Sequence, residues 1–208
     1  MTKRAPAALT IAGSDSGAGA GIQADLKTFA ALGVYGTCAI TAATAQNTLG
    51  VNAVHYIPPQ IVAAQIDTVL DDFDIAAIKI GMIGAAKIVE AVADRLRGLG
   101  GRPFVIYDPV IAASSGDALS REGFLAAIKT RLLPLVDCLT PNLAEAAALL
   151  GEAEAHDEEA MAAQGRALLT LGSRAVLMKG GHLDAAEAID VLVTREETRC
   201  YASPRMRR

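Results

Sequence analysis

Residues 7–12 form an apolar run that stops at a glycine-rich turn. Over 21–32 the pattern shifts to helical spacing: Ile22, Leu26, Phe29 and Ala30 share one face, and Gly33 is a natural stop. Residues 34–45, rich in Val, Ile, Thr and Ala, read as a strand. A second, shorter strand, 51–57, follows the turn signal Asn47-Thr48-Leu49-Gly50. Pro58-Pro59 opens a helix over 60–70, with Ile61, Val62, Ile66 and Val69 turned inward. The alternation then repeats, with strands at 75–80, 104–107, 136–139 and 175–178 and helices at 85–97, 121–131, 142–150 and 158–171. A hairpin, 189–193 with 198–201 around Arg195-Glu196-Glu197, closes the pattern. Apolar strands alternating with amphipathic helices predict an α/β fold with a mostly parallel central sheet and helices on both faces. No linker, low-complexity tract or solenoid repeat interrupts it, so 1–208 reads as a single domain.

Composition narrows the picture. Apolar residues make up 52% of the 208 and charged residues 20%, enough to bury a core. Aromatic residues are only 4% and Trp is absent, which removes a stacking platform for single-stranded nucleic acid. A net charge of −4 leaves no electrostatic footprint for nucleic acid or an anionic membrane. The first apolar run is too short for a signal sequence or a membrane span. Cys38, Cys138 and Cys200 are scattered and odd in number, which speaks against a disulfide framework. They read as small buried hydrophobes in a reducing, cytoplasmic setting.

In open α/β sheets, ligands sit beyond the carboxyl ends of the strands. Four segments there carry unusual residues. Ala12-Gly13-Ser14-Asp15-Ser16-Gly17-Ala18-Gly19-Ala20-Gly21 allows close backbone approach, yet lacks both the Gly-Lys-Ser/Thr ending of a P-loop and the G-x-G-x-x-G fingerprint. It reads either as a ligand loop or as a flexible turn. Thr44 and Gln46 close a strand, where a glutamine offers a donor and an acceptor to a heterocycle edge, or merely caps the turn. Lys79-Ile80-Gly81-Met82 and Asp108-Pro109-Val110 place a soft thioether and a carboxylate at two further strand ends. Met82 suits a planar ring or the core; Asp108 suits Mg²⁺ or a cap. Asn142 and Glu145, three apart, share a helical face at a positive N-terminus, where they bind phosphate and metal or form a capping pair. Lys179 aims a cation at the same mouth, followed by Gly180-Gly181. His55, His156 and His182 show no ligand spacing.

Together these segments resemble the bacterial hydroxymethylpyrimidine/phosphomethylpyrimidine kinases. The resemblance runs from Ala12-Gly13-Ser14-Asp15-Ser16 and Gly19-Ala20-Gly21-Ile22-Gln23-Ala24-Asp25-Leu26-Lys27-Thr28 through Ala45-Gln46-Asn47-Thr48, Lys79-Ile80-Gly81-Met82 and Asp108-Pro109-Val110. It continues into Thr140-Pro141-Asn142-Leu143 with Glu145-Ala146, and ends at Lys179-Gly180-Gly181-His182. It implies a ribokinase-like fold and an enzyme of thiamine biosynthesis. Such an enzyme uses Mg²⁺ and ATP to phosphorylate 4-amino-5-hydroxymethyl-2-methylpyrimidine and then its monophosphate. It further implies a pyrimidine pocket of Gly13, Ala20, Thr44, Gln46, Met82 and Val110, with Gln46 bonding the ring edge. Asp108 and Glu145 would serve Mg²⁺, Asn142 and Lys179 the nucleotide and its phosphates. The strand at 51–57 would pair with a second copy in a homodimer.

In the family, a Gly-Thr-Gly-Cys segment follows the stretch matching Ala202-Ser203-Pro204-Arg205, and its last residue is the catalytic base. The resemblance therefore puts the base and the final helices beyond residue 208, with no residue here inheriting the base and with phosphate transfer by 1–208 expected to fail. Pyridoxal or pyridoxine kinase, which shares the fold, and a catalytically dead pyrimidine-binding module are the alternatives.

Overall fold

The structure is a computed structural model, which describes residues 5–101, 103–111, 118–181 and 187–205. In chain order the elements are β1 (Ala7–Asp15), α1 (Gly21–Ala31), β2 (Tyr35–Asn47), β3 (Gly50–Tyr56), α2 (Pro59–Asp72), β4 (Ile75–Ile80), α3 (Ala86–Arg97) and β5 (Phe104–Tyr107). They continue with α4 (Ala118–Ala127), β6 (Cys138–Leu139), α5 (Leu143–Leu150), α6 (Glu158–Leu169), β7 (Ala175–Lys179), β8 (Glu187–Thr194) and β9 (Thr198–Pro204). The strands form a mixed sheet in the order β3-β2-β1-β4-β5-β6-β7-β8-β9. From β2 to β7 in that order every pairing is parallel; β3, β8 and β9 are antiparallel additions at the edges.

The parallel centre follows from side-chain alternation. On β1, Leu9 and Ile11 point to one face and Ala8, Thr10 and Ala12 to the other, and all five are buried. Such a strand needs cover on both faces. α1 packs on β1 and β2, and Gly36 lets Leu26 and Phe29 come close: a Cβ there would fall 2.7 Å from Leu26 Cδ2. α2 lies on β2 and against α3, and α6 covers β7 and β8. β9 is exposed along its whole length.

The chain leaves β1 toward β2 on one side and returns to β4 on the other. That reversal between β1 and β4 is where a crevice opens at the carboxyl ends of the strands. Two irregularities sit at its rim, one in β1 between Ala12 and Ser14 and one in β2 between Ala45 and Gln46. Bulges at such places re-aim side chains.

Several expectations change. The helix expected over 121–131 begins at Ala118 and leaves α-geometry after Ala127, continuing as a wide π turn (Ile128–Leu132) and a 3-10 turn (Leu133–Leu135). Pro134 has no N–H to continue the ladder. The strand expected over 136–139 shortens to two residues, although Asp137 extends the pairing through its side chain, which accepts Val105 N at 2.8 Å. The helix expected over 158–171 stops at Leu169, and Asn142 caps α5 rather than lying inside it. Cys200 is exposed on β9, not buried; Cys38 and Cys138 are half-buried, and burial pushes both thiols up. His182 lies outside the described residues. Among the described residues no helix is long and apolar enough to cross a membrane.

Gly165 brings α6 onto β8. A Cβ there would sit 2.6 Å from Val193 Cγ2. Gly165→Ala gains about 1 kcal/mol of helix propensity, but wedging a methyl against a stiff β-branched side chain costs about 1–3 kcal/mol. Urea unfolding should show net destabilisation. The double variant with Val193→Ala should be less destabilised than the sum of the two single changes.

Candidate active site

The glycine-rich loop between β1 and α1 is shaped by one carboxylate. Asp15 Oδ1 accepts Gly17 N at 2.7 Å, and Oδ2 accepts Gly19 N at 3.0 Å and Ala20 N at 2.8 Å. Burial alone would raise the Asp15 pKa. The three N–H donors, helped by Lys27, overcome that and hold it below its ordinary value. Ala18 takes a positive φ of 58° to complete the wrap, and Gly21, at φ 56°, begins α1. A Cβ on Gly21 would collide with the carbonyl oxygen of Gly13, so the loop closes only on glycine there. Ser16 ties the loop to the next strand: its hydroxyl donates to Gln46 O at 2.7 Å and accepts from Gln46 N at 2.8 Å.

Behind this loop lies a cavity of about 390 Å³. Gly13, Ala20, Thr44, Gln46, Met82 and Val110 all line it, so residues from four strand ends meet in one place. Met82 is held by Thr41, whose hydroxyl donates to Met82 O at 2.6 Å. Gly13 leaves room for the thioether, since a Cβ on it would fall 2.5 Å from Met82 Cε. The Thr44 hydroxyl is shared between Ser14 O at 3.0 Å and Gln46 Oε1 at 3.2 Å. Val110 N donates to Asp108 O at 2.8 Å across Pro109, fixing the turn that presents both residues.

Asp108 also lines the cavity and leads to a second, charged group. Lys179 Nζ donates to Asp108 Oδ1 at 2.6 Å. Lys179 N donates to Pro141 O at 2.8 Å, and Asn142 bridges Lys179 in parallel. Asn142 and Glu145 form a reciprocal capping box: Asn142 Oδ1 accepts Glu145 N at 2.8 Å and Glu145 Oε2 accepts Asn142 N at 2.7 Å. Burial pushes Glu145 above its ordinary value and Asp108 adds to the push, while Asn142 N and Lys179 pull back. Asp108, Asn142, Glu145 and Lys179 are therefore one electrostatic unit beside the cavity, although Asn142, Glu145 and Lys179 do not line it.

The sequence profile of the phosphomethylpyrimidine kinases matches residues 15–208. The chain belongs to the phosphomethylpyrimidine kinase family. It is 56% identical over 184 residues to the hydroxymethylpyrimidine/phosphomethylpyrimidine kinase of Rhizobium meliloti strain 1021, covering 88% of this chain and 68% of the relative. The crystal structure of phosphomethylpyrimidine kinase from Clostridium difficile 630 superposes with a TM-score of 0.84 at 42% identity, over 95% of this chain and 84% of that one. Pyridoxal kinase from Staphylococcus aureus, in complex with AMP-PCP and pyridoxal, superposes with a TM-score of 0.88 at 30% identity, over 99% and 74%.

In this member of the kinase family, the cavity contains residues that motif reading left without a role. Asp25 and Lys79 both line it, as do Ser14 and Val51. Lys79 Nζ and Thr10 Oγ1 donate to the same Asp25 oxygen at 3.0 and 2.6 Å. A sequence signal existed, because both charged residues fall inside family-like motifs, but their pairing across 54 positions is visible only in three dimensions.

The depressed pKa of Asp15 makes a pH prediction. Its folded value lies below the ordinary 3.8, so its contribution is present above that value and lost as pH falls through the folded value. Urea unfolding followed downward from neutral pH should show an acid limb in the wild type. Asp15→Asn should be less stable at neutral pH and should lose part of that limb.

Proposed function

We propose that the protein is an ATP-dependent kinase of thiamine biosynthesis that phosphorylates the hydroxymethyl group of 4-amino-5-hydroxymethyl-2-methylpyrimidine and then the monophosphate so formed. One observation carries the reading. The six residues that family resemblance assigns to the pyrimidine converge on a single cavity in a chain that matches the family from residue 15 onward.

Within this reading Gln46 bonds the ring edge, and Met82, Gly13, Ala20 and Val110 shape the slot around a flat heterocycle. Thr44 acts on the substrate through Gln46. Asp108, Asn142, Glu145 and Lys179 serve the phosphate side. The carboxylates fit Mg²⁺: they are hard oxygen donors, their charges repel each other, and Asp108 Oδ2 and Glu145 Oε1 accept nothing among the described residues. Bound there with ATP, the ion would neutralise charge on the transferring phosphoryl group. Lys179 holds Asp108 in place and adds a fixed positive charge. Asn142 keeps Glu145 oriented through the capping box.

The proposal includes a homodimer and a cytoplasmic location. β3 is exposed along its length, and Leu49, Val51 and Val54 turn apolar surface outward, which suits a second copy of the chain. Nucleic acid and membrane are not partners in this reading. Pyridoxal kinase stands as a second reading, favoured by the close superposition on the Staphylococcus aureus enzyme.

Two experiments test the assignment. Gln46→Leu should weaken binding of the hydroxymethylpyrimidine by about 1–3 kcal/mol, because it leaves a buried polar edge of the ring unpaired. Calorimetric titration of wild type and variant reads this directly, and equal affinities would remove Gln46 from the site. Asp108→Ala and Glu145→Ala should weaken ATP binding in the presence of Mg²⁺ and leave pyrimidine affinity nearly intact. Unchanged ATP binding in both variants would leave the two carboxylates as structural groups.

A further inference from the structure

The turn after β4 carries Met82 into the cavity, and a side chain from outside the cavity closes over that turn. Gly81 N donates to Ile11 O at 2.9 Å, the Thr41 hydroxyl holds Met82 O, and Ile83 is fully buried. The turn ends at Gly84, whose φ is 79°. Glycine takes positive and negative φ about equally readily, so nothing intrinsic to Gly84 selects this conformation. The ring of Tyr56 stands where a side chain on Gly84 would be. A Cβ there would run into Tyr56 Cε1, with Cζ 2.8 Å and the phenolic oxygen 2.9 Å away. The aromatic ring therefore rests directly on the Gly84 backbone.

Tyr56 is the last residue of β3 and pairs with Ala42 of β2. The next amide, Ile57 N, donates to Thr41 O at 2.9 Å, and Thr41 is the residue whose hydroxyl donates to Met82 O. The end of β3 thus reaches the Met82 turn twice, by a ring on Gly84 and by the backbone of Thr41. Tyr56 is neither part of the hydrophobic core, being 37% exposed, nor part of the cavity lining. What the ring supplies is restraint on a glycine that is otherwise free to choose. Met82 is unbranched and flexible, so the place of its thioether depends on the backbone that carries it.

We propose that Tyr56 is a positioning residue for the cavity: seated on Gly84, it fixes the turn that carries Met82 and so sets how closely the thioether approaches a bound pyrimidine, without touching the ligand itself. This rests on the pyrimidine reading of the cavity. A small gap between packed atoms already forfeits part of their attraction, so a loosened turn weakens the grip on a flat ring. The effect runs through Met82. β3 also brings Val51 to the cavity, so this strand shapes the site from both of its ends.

The test is a double-variant cycle, read by calorimetric titration of 4-amino-5-hydroxymethyl-2-methylpyrimidine into the full chain. Tyr56→Ala should weaken binding by about threefold or more, within the range of coupling between residues of one contact chain. Tyr56→Phe, which keeps a ring on Gly84, should stay within about twofold of wild type. Met82→Ala should itself weaken binding, and adding Tyr56→Ala to it should change the affinity by less than about twofold. Should Tyr56→Ala fail to fold, judged by circular dichroism and thermal melting, Tyr56→Leu keeps apolar bulk without the flat ring and carries the same expectation. A ring that only stabilises the fold would lower the melting temperature and leave the affinity of the folded protein unchanged, which overturns the assignment. Equal loss of affinity with and without the Met82 thioether overturns it as well, and so does a Met82→Ala variant that binds like wild type; in each case the pyrimidine reading stands. Wild type that does not bind the pyrimidine overturns both.

Discussion

The Asp15 carboxylate takes three N–H groups from the loop after β1, and the shape of the whole cavity depends on that bond set. A loop of small residues has little side chain to pack and much backbone entropy to lose. Anchoring three of its amides to one buried anion fixes it with a single side chain. The consequences spread from there. Ala20 becomes the start of α1, and Ser16 reaches Gln46 and clamps its backbone from both sides. Gln46, which lines the cavity, is thus positioned by a loop belonging to a different strand.

Charge divides the site into two ends. On one side Asp108, Lys179 and Glu145 interact strongly enough that burial and mutual repulsion lift Glu145 while Lys179 restrains it. Each carboxylate of that cluster keeps one oxygen unbonded among the described residues, which is what the proposed Mg²⁺ role requires of them. On the other side the lining is mainly apolar and the polar groups are spent on orientation: Thr44 on Gln46, Thr41 on Met82, Thr10 on Asp25. Three threonines, each at a strand position, hold residues that line the cavity.

Much of the architecture was legible because parallel strands buried on both faces leave long apolar runs. The strands at 75–80 and 104–107 match β4 and β5 to the residue. Periodicity failed where a side chain or a missing N–H overrode it. The helix leaves α-geometry after Ala127 ahead of Pro134, and Asp137 adds a side-chain bond to its backbone pairing with Val105. The six positions that resemblance assigns to the pyrimidine were reached through motifs, and their convergence on one cavity required the fold. Asn142 and Glu145 carried two readings in sequence, and the structure makes them a capping box without removing them from the charged group beside Lys179. Asp25 and Lys79 each sat inside a motif, but their pairing was not legible, because no local pattern links a helix residue to a strand residue 54 positions away. The roles of Gly13 and Gly21 were equally hidden, since what matters there is the absence of an atom.

The frame around this cavity is common to kinases of different vitamin precursors, so the frame cannot be what chooses among them. Glycine-built walls and the Asp15 loop supply a slot for a flat ring, and a pyridine fits such a slot as well as a pyrimidine does. Choice must come from the few side chains that present fixed donors and acceptors to the ring. An aminopyrimidine offers acceptor nitrogens next to an amino donor; pyridoxal offers a phenolic oxygen and an aldehyde. In the proposed reading that wall includes Gln46, whose amide carries both a donor and an acceptor, the pattern an aminopyrimidine edge also offers. Discrimination then scales with the polar atoms left unpaired by the wrong ring, not with the area the ring buries.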